Sequence, residues 1–314
     1  MILRLGRFGI VALAVAALAQ AASYSFASES PKGISPQTFS TPKGAMQAVI
    51  RACEKNDTGA LLKIFGPGGK DIVESGDPAE DSSARAEFLK RTREGFKLIQ
   101  DTTNPDKMMV SIGTQDWPFP VPLVRKGSRW HFDSSEGRQE ILARRIGANE
   151  LDAAEICRGY VEAQFEYAQA HRNRGVPVYA QKIVSSQGEQ DGLYWETGKD
   201  GLECPVPKGF AKAAANMSAG MLEPYHGYYF RILTAQGPAA HGGIFDYIVH
   251  GSMLGGFALV ACPAEYGVSG IQTFIVNHEG TVYEAHLGPE TVRLAAETTE
   301  FDPDPSLWHP IEAE

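Results

Sequence analysis

Asn149-Glu-Leu-Asp-Ala-Ala-Glu-Ile-Cys-Arg-Gly-Tyr-Val-Glu-Ala-Gln-Phe-Glu-Tyr-Ala168 is the stretch on which the architecture turns. Leu151, Ala154, Cys157, Val161, Phe165 and Ala168 recur at steps of three and four, which predicts one long amphipathic helix. Asn149 is the expected cap, and Gly175 and Pro177 the expected stop. A loop-rich middle follows, with Asp191-Gly192 and the run Gly198 to Gly209, then a helix-like segment over Phe210–Met221. Short strands between Gly and Pro turns are predicted at Tyr228–Leu233, Phe245–His250, Ala258–Ala261, Thr273–Val276 and Val282–Ala285. A long helix ahead of an antiparallel meander is an α+β arrangement.

Upstream of Asn149 the order is similar. Thr41-Pro42 opens a helix with Met46, Val49, Ile50 and Cys53 on one face. A second begins at Asp57, carries Leu61, Leu62 and Phe65, and is stopped by Gly66-Pro67-Gly68-Gly69. A third opens at Asp77-Pro78, with Ala84, Phe88 and Phe96 one above another. Strands then follow at Met108–Ile112 and Pro120–Val124, and Arg125-Lys126-Gly127-Ser128 turns the chain into Arg129–Phe132 as a hairpin. With 314 residues the length suits two domains. We therefore expect an α+β chain whose domains each pack helices on an antiparallel sheet. The boundaries expected are 1–27 for a signal peptide, 28–37 for a disordered linker, 38–147 and 148–305 for the domains, and 306–314 for a tail.

Arg4 and Arg7 precede an apolar run from Phe8 to Leu18, and small-residue sites follow at Ala19-Gln20-Ala21 and Ser25-Phe26-Ala27. Basic start, short apolar core and Ala-x-Ala site make a cleaved secretory signal, so a periplasmic or secreted protein is expected. The apolar core falls short of the ~20 residues that span a bilayer, and no integral membrane segment is expected after cleavage. Net charge is −9, from 29 Lys and Arg against 38 Asp and Glu, and no basic run concentrates positive charge, which argues against nucleic acid. Cys53, Cys157, Cys204 and Cys262 lack Cys-x-x-Cys spacing, and their three pairings are equivalent by sequence. Cys53 and Cys157 read as buried thiols.

The phrase Pro122-Leu-Val-Arg-Lys-Gly-Ser-Arg-Trp130-His-Phe132-Asp resembles the hairpin of NTF2-like cones. Gly270-Ile-Gln-Thr-Phe274-Ile-Val-Asn-His-Glu-Gly280-Thr-Val282 is similar to the closing piece of type IV pilin and pseudopilin globular domains, although Glu150, Asp152 and Glu155 replace the apolar stem of a pilin helix. Over about residues 35 to 305 the chain resembles the bacterial family called domain of unknown function 2950. The matching phrases are Asp116-Trp-Pro-Phe-Pro-Val-Pro-Leu-Val124, Asp191-Gly-Leu-Tyr-Trp195, Pro224-Tyr-His-Gly-Tyr-Tyr229, Ile232-Leu-Thr-Ala-Gln-Gly237 and Pro263-Ala-Glu-Tyr-Gly-Val-Ser-Gly270. The resemblance implies an exported bacterial protein and assigns no catalytic residue.

The chain has no Gly-x-Ser-x-Gly, His-Glu-x-x-His, phosphate loop or dinucleotide fingerprint, so no cofactor is expected. His226, His241, His250, His278 and His286 fall in the second half, none paired at helical spacing for a metal. The aromatic-rich segments supply the candidate binding residues: Asp191, Tyr194 and Trp195 in one loop, then Tyr225, His226 and Tyr228, and Tyr266. For each, packing into the fold is the competing role. Two functions follow: a non-enzymatic binding or assembly module that meets an envelope protein, or a hydrolase acting on a glycan or peptide. The second would use either the carboxylates Asp191, Asp246 and Glu265 as its acid and base or a zinc assembled from the second-half histidines.

Overall fold

The computed structural model describes residues 35–74, 78–173, 175–195, 204–207, 209–211 and 224–312. The expected signal peptide, most of the linker and most of the Phe210–Met221 helix lie outside them. The architecture is α+β, and the chain divides into two compact units at Ile141 and Leu142.

The first unit begins with α1 (Pro42–Glu54), α2 (Thr58–Phe65), α3 (Lys70–Val73) and α4 (Pro78–Thr92). Thr41 Oγ1 accepts the Gly44 N–H at 3.1 Å, and Asp57 accepts the Ala60 N–H at 2.9 Å, so both expected caps form. Ala45, Met46, Val49, Ala52 and Cys53 make the buried face of α1. After α2 the chain turns at Gly66, whose φ of 67° and approach to Pro36 leave no room for a side chain. The sheet comprises β1 (Phe96–Gln100), β2 (Lys107–Ile112), β3 (Trp117–Pro118), β4 (Leu123–Lys126) and β5 (Arg129–Phe132), all antiparallel, in the order β1-β2-β4-β5 with β3 beside β2. The hairpin is present, with Lys126 opposite Arg129 and Gly127 at φ 62°. Phe96 does not extend the α4 stripe. It opens β1, because α4 has ended at Thr92 and Gly95, at φ 111°, redirects the chain.

The long helix is α5 (Ser134–Ala170), and it starts fifteen residues before Asn149. Asp133 is its cap, accepting the N–H groups of Ser135 and Glu136 at 3.1 Å each. Asp133-Ser-Ser-Glu136 is a capping pattern visible in the sequence, and nothing between it and Asn149 stops a helix. Asn149 instead sits mid-helix and donates from Nδ2 to Ser269 O at 2.8 Å. Of the expected face, Ala154, Cys157, Val161 and Ala168 are buried, joined by Ala153, Tyr160, Gln164 and Tyr167, whereas Leu151 is 72 % exposed and Phe165 is 43 % exposed. Gln164 is fully enclosed. Its amide accepts the Ala180 N–H and donates to Ala180 O, both at 2.8 Å, and also donates to the Tyr160 hydroxyl.

Beyond α5 come the short pair β6 (Arg172–Asn173) and β7 (Val176–Pro177), then β8 (Tyr228–Leu233), β9 (Ala235–Gln236), β10 (Phe245–Asp246), β11 (Ile248–Val249) and β12 (Ser252–Met253). The expected Phe245–His250 strand is thus broken at Tyr247, which is fully buried with its hydroxyl on Gln236 Oε1. The chain ends through β13 (Ala258–Pro263), β14 (Thr273–Asn277), β15 (Val282–Ala285), α6 (Thr291–Glu297), β16 (Glu300–Phe301) and β17 (His309–Pro310). The main sheet runs β17-β15-β14-β13-β8, antiparallel throughout. Trp308, in the stretch expected as a tail, is buried, and β17 pairs with β15. Two two-residue hairpin turns place a non-glycine residue at positive φ: His226-Gly227 (49° and 76°) and His250-Gly251 (49° and 80°). Both have the type I′ form, in which two successive left-handed residues match the twist of the strands. Among the described residues, no helix is long and apolar enough to cross a membrane.

Candidate functional site

The sequence candidates fall into three places. Asp191 accepts from Lys182 Nζ at 2.6 Å, from the Ser186 N–H at 2.7 Å and from the Ser186 hydroxyl at 3.0 Å. The Lys182 ammonium, helped by these donors, holds its carboxyl down to about 2, so it serves as a fixed anion that ties the loop. Gly192 next to it packs against the backbone of Lys182, Val184 and Ser185. Tyr194 and Trp195 are half-buried and lie against the core of the second unit. The Trp195 peptide is held by Cys204, whose thiol donates to Trp195 O at 2.8 Å.

Tyr225 and His226 open the hairpin into β8, with the His226 ring 4.4 Å from that of Tyr225 and its Nδ1 2.5 Å from Asp152 Oδ2. Tyr228 is fully buried and donates to Gln272 O at 2.9 Å, while Gly270 packs against its hydroxyl. It is therefore a core residue and presents no surface to a ligand. Tyr266 pairs with His286, hydroxyl to Nε2 at 2.5 Å. The other histidines stand apart: His241 meets Glu279 at 2.6 Å, His250 lies on its exposed turn, and His278 packs on Tyr247 and Phe257. Burial lowers the pKa of His278. Among the described residues, no group of three or more His, Cys, Asp or Glu could hold a metal ion. Asp246 is on β10 and Glu265 in the turn after β13, so the three proposed hydrolytic carboxylates come from three separate segments.

The four cysteines are thiols. Burial pushes Cys157 and Cys262 up to about 12 and Cys53 up to about 11, which makes them packing residues and removes them as nucleophiles.

A groove missed by the sequence reading lies beside α6. The start of that helix is pinned to the sheet where the buried hydroxyls of Thr291 and Thr273 meet. Its end is held by Arg231 Nη2, which donates to Ala295 O at 2.6 Å and also to Thr298 O. Downstream, Asp302 accepts the Ala239 N–H at 2.7 Å. Asp304 accepts the Ser306 N–H at 2.9 Å, and its carbonyl accepts the Trp308 N–H at 2.8 Å, which turns Leu307 and Trp308 back towards the helix. Between these segments is a cavity of about 430 Å³. Ile275 and Trp308 are buried in its floor, Leu287 and Leu294 are half-buried in its walls, and Glu297, Glu300 and Asp302 stand around it. An apolar base with a few polar groups at the margin is the usual character of a binding cleft, and this volume is within the usual range. Trp308 was its one conspicuous signal in the sequence, since the remaining residues come from four separate stretches.

No curated protein and no solved structure matches this chain. The family model described as "Protein of unknown function (DUF2950)" matches residues 36–311, nearly all of the described residues, and the chain therefore belongs to that family.

Proposed function

We propose that this protein is exported through a cleaved N-terminal signal and works in the periplasm or outside the cell as a non-enzymatic binding or assembly module. The groove beside α6 carries the reading: it is an apolar cleft of ligand size whose walls are fixed by Arg231, Thr291 and Asp304. The basic start, apolar run and small-residue cleavage sites of residues 1–27 support export. Helices followed by an antiparallel sheet support an NTF2-like reading of the first unit. A long helix followed by an antiparallel meander supports a pilin-like reading of the second.

The test is cell fractionation of a tagged full-length chain, with N-terminal sequencing and in-cell cross-linking. We expect a product that begins after Ala21 or Ala27, recovered from the periplasm or medium, with a reproducible partner that is lost in Leu294→Trp. An intact Met1 on a cytoplasmic protein would overturn the export reading. A partner set unchanged by Leu294→Trp would overturn the groove.

A further inference from the structure

We infer that the groove beside α6 receives an extended peptide segment in which lysine or arginine alternates with apolar side chains. This rests on the binding-module reading above and names the occupant.

Three observations converge on that chemistry. The base is apolar, with Ile275 and Trp308 in the floor, Leu294 in the wall and Leu307 45 % exposed at the lip, so an occupant must offer aliphatic side chains. The margin is acidic. Glu297, Glu300 and Asp302 all face the cavity, whereas the carbonyls that end α6 are already satisfied by the Arg231 guanidinium. Glu297 shares its charge with Arg293 at 2.7 Å and Asp302 binds a backbone N–H, which leaves Glu300 as the exposed carboxylate best placed to meet a cation. Finally, β16 lies at the edge of its sheet, in the order β10-β9-β16, and Glu300 of that strand lines the groove. An extended chain laid in the cleft points alternate side chains to opposite sides. One side would enter the apolar floor and the other would reach the carboxylates.

The test uses the purified full-length chain and three fluorescein-labelled peptides: Leu-Lys-Leu-Lys, Leu-Gln-Leu-Gln and Leu-Glu-Leu-Glu, each after a Gly-Gly spacer. Anisotropy titrations at low salt should rank them in that order, with at least about tenfold between the Lys and Glu peptides, from two charges meeting an acidic margin. Glu300→Gln should weaken the Lys peptide about two- to fivefold, as expected for an exposed ion pair, and raised salt should remove the same increment. Leu307→Ala, an exposed site that leaves the fold intact, should weaken all three peptides. Equal affinity for the Lys and Gln peptides would overturn the basic occupant while leaving the groove a binding cleft. No binding of any peptide, together with an in-cell partner set untouched by Leu307→Ala, would overturn both readings.

Discussion

The two sheets of this molecule are buried differently. In the first unit, β5 alternates between interior and surface, β2 is interior only over its last three residues, and β1 at the edge has no fully buried residue. In the second, all six residues of β13 and all five of β14 are interior. The reason is coverage. The face carrying Tyr228 and Phe274 lies under α5, where Glu150 accepts the Ile271 and Gln272 N–H groups. The opposite face, carrying Arg231 and Ile275, is met by α6 and the Trp308 turn. A sheet covered on one side only can be read from alternation. One covered twice yields a continuous apolar run, and the cleft arises where the second cover is incomplete.

The comparison is broken most directly by paired core deletions. Leu259→Ala, in the doubly covered β13, should cost about 3–5 kcal/mol, against about 1 kcal/mol for the half-buried Leu98→Ala on β1, both by urea unfolding. Equal losses would show that the interior of the second sheet is packed no better than the edge of the first. Gln164→Leu comes next: it strands both backbone groups of Ala180 in the interior and should cost about 2–4 kcal/mol by the same measurement. Full stability in that variant would mean Ala180 finds other partners.

Thiol reactivity sharpens the contrast. At pH 8 in native buffer, alkylation followed by mass spectrometry should label the half-buried Cys204 first and leave Cys157 and Cys262 unmodified until urea is added. Their raised pKa values set the sign of a pH effect: the folded state keeps protons that the unfolded chain releases above about 9, so stability falls as pH rises from there towards 12. Native labelling of Cys157 would show that the α5 face opens readily. The smallest effect is expected at Asp191→Asn, about 0.5 kcal/mol or less, because its lysine partner is exposed. With a depressed pKa, the Asp191 contribution is present above its ordinary range and is lost only as pH falls from about 4 through about 2. Earlier loosening of residues 182–195 in an acid titration followed by amide NMR would break that assignment.

Much of the fold was legible because local rules govern it. Thr41 and Asp57 cap their helices, Gly127 turns its hairpin, and five of the strands lie where apolar runs are bounded by Gly and Pro. The long helix was recognised, yet its start was set too late, since Asn149 looked like a cap while Asp133 had already provided one. Its face was read correctly at Ala154, Cys157, Val161 and Ala168 and missed at two positions. Leu151 and Phe165 are apolar but exposed, and Gln164 is polar but enclosed, because the Ala180 backbone supplies its partners from a segment sixteen residues away. The groove was beyond the sequence reading altogether. It requires Ile275, Leu294 and Trp308 to meet, which only the second cover of the sheet brings about.

The His226-Gly227 and His250-Gly251 turns carry a further consequence, for chemical ageing. Type I′ turns favour Asn-Gly, because asparagine tolerates the left-handed conformation. Asn-Gly is also the pair in which the following backbone nitrogen readily attacks the side-chain carbonyl, closing a succinimide and leaving isoaspartate. An imidazole has no such carbonyl. Histidine at φ 49° in both turns accepts some backbone strain, and in exchange neither hairpin tip can close a succinimide.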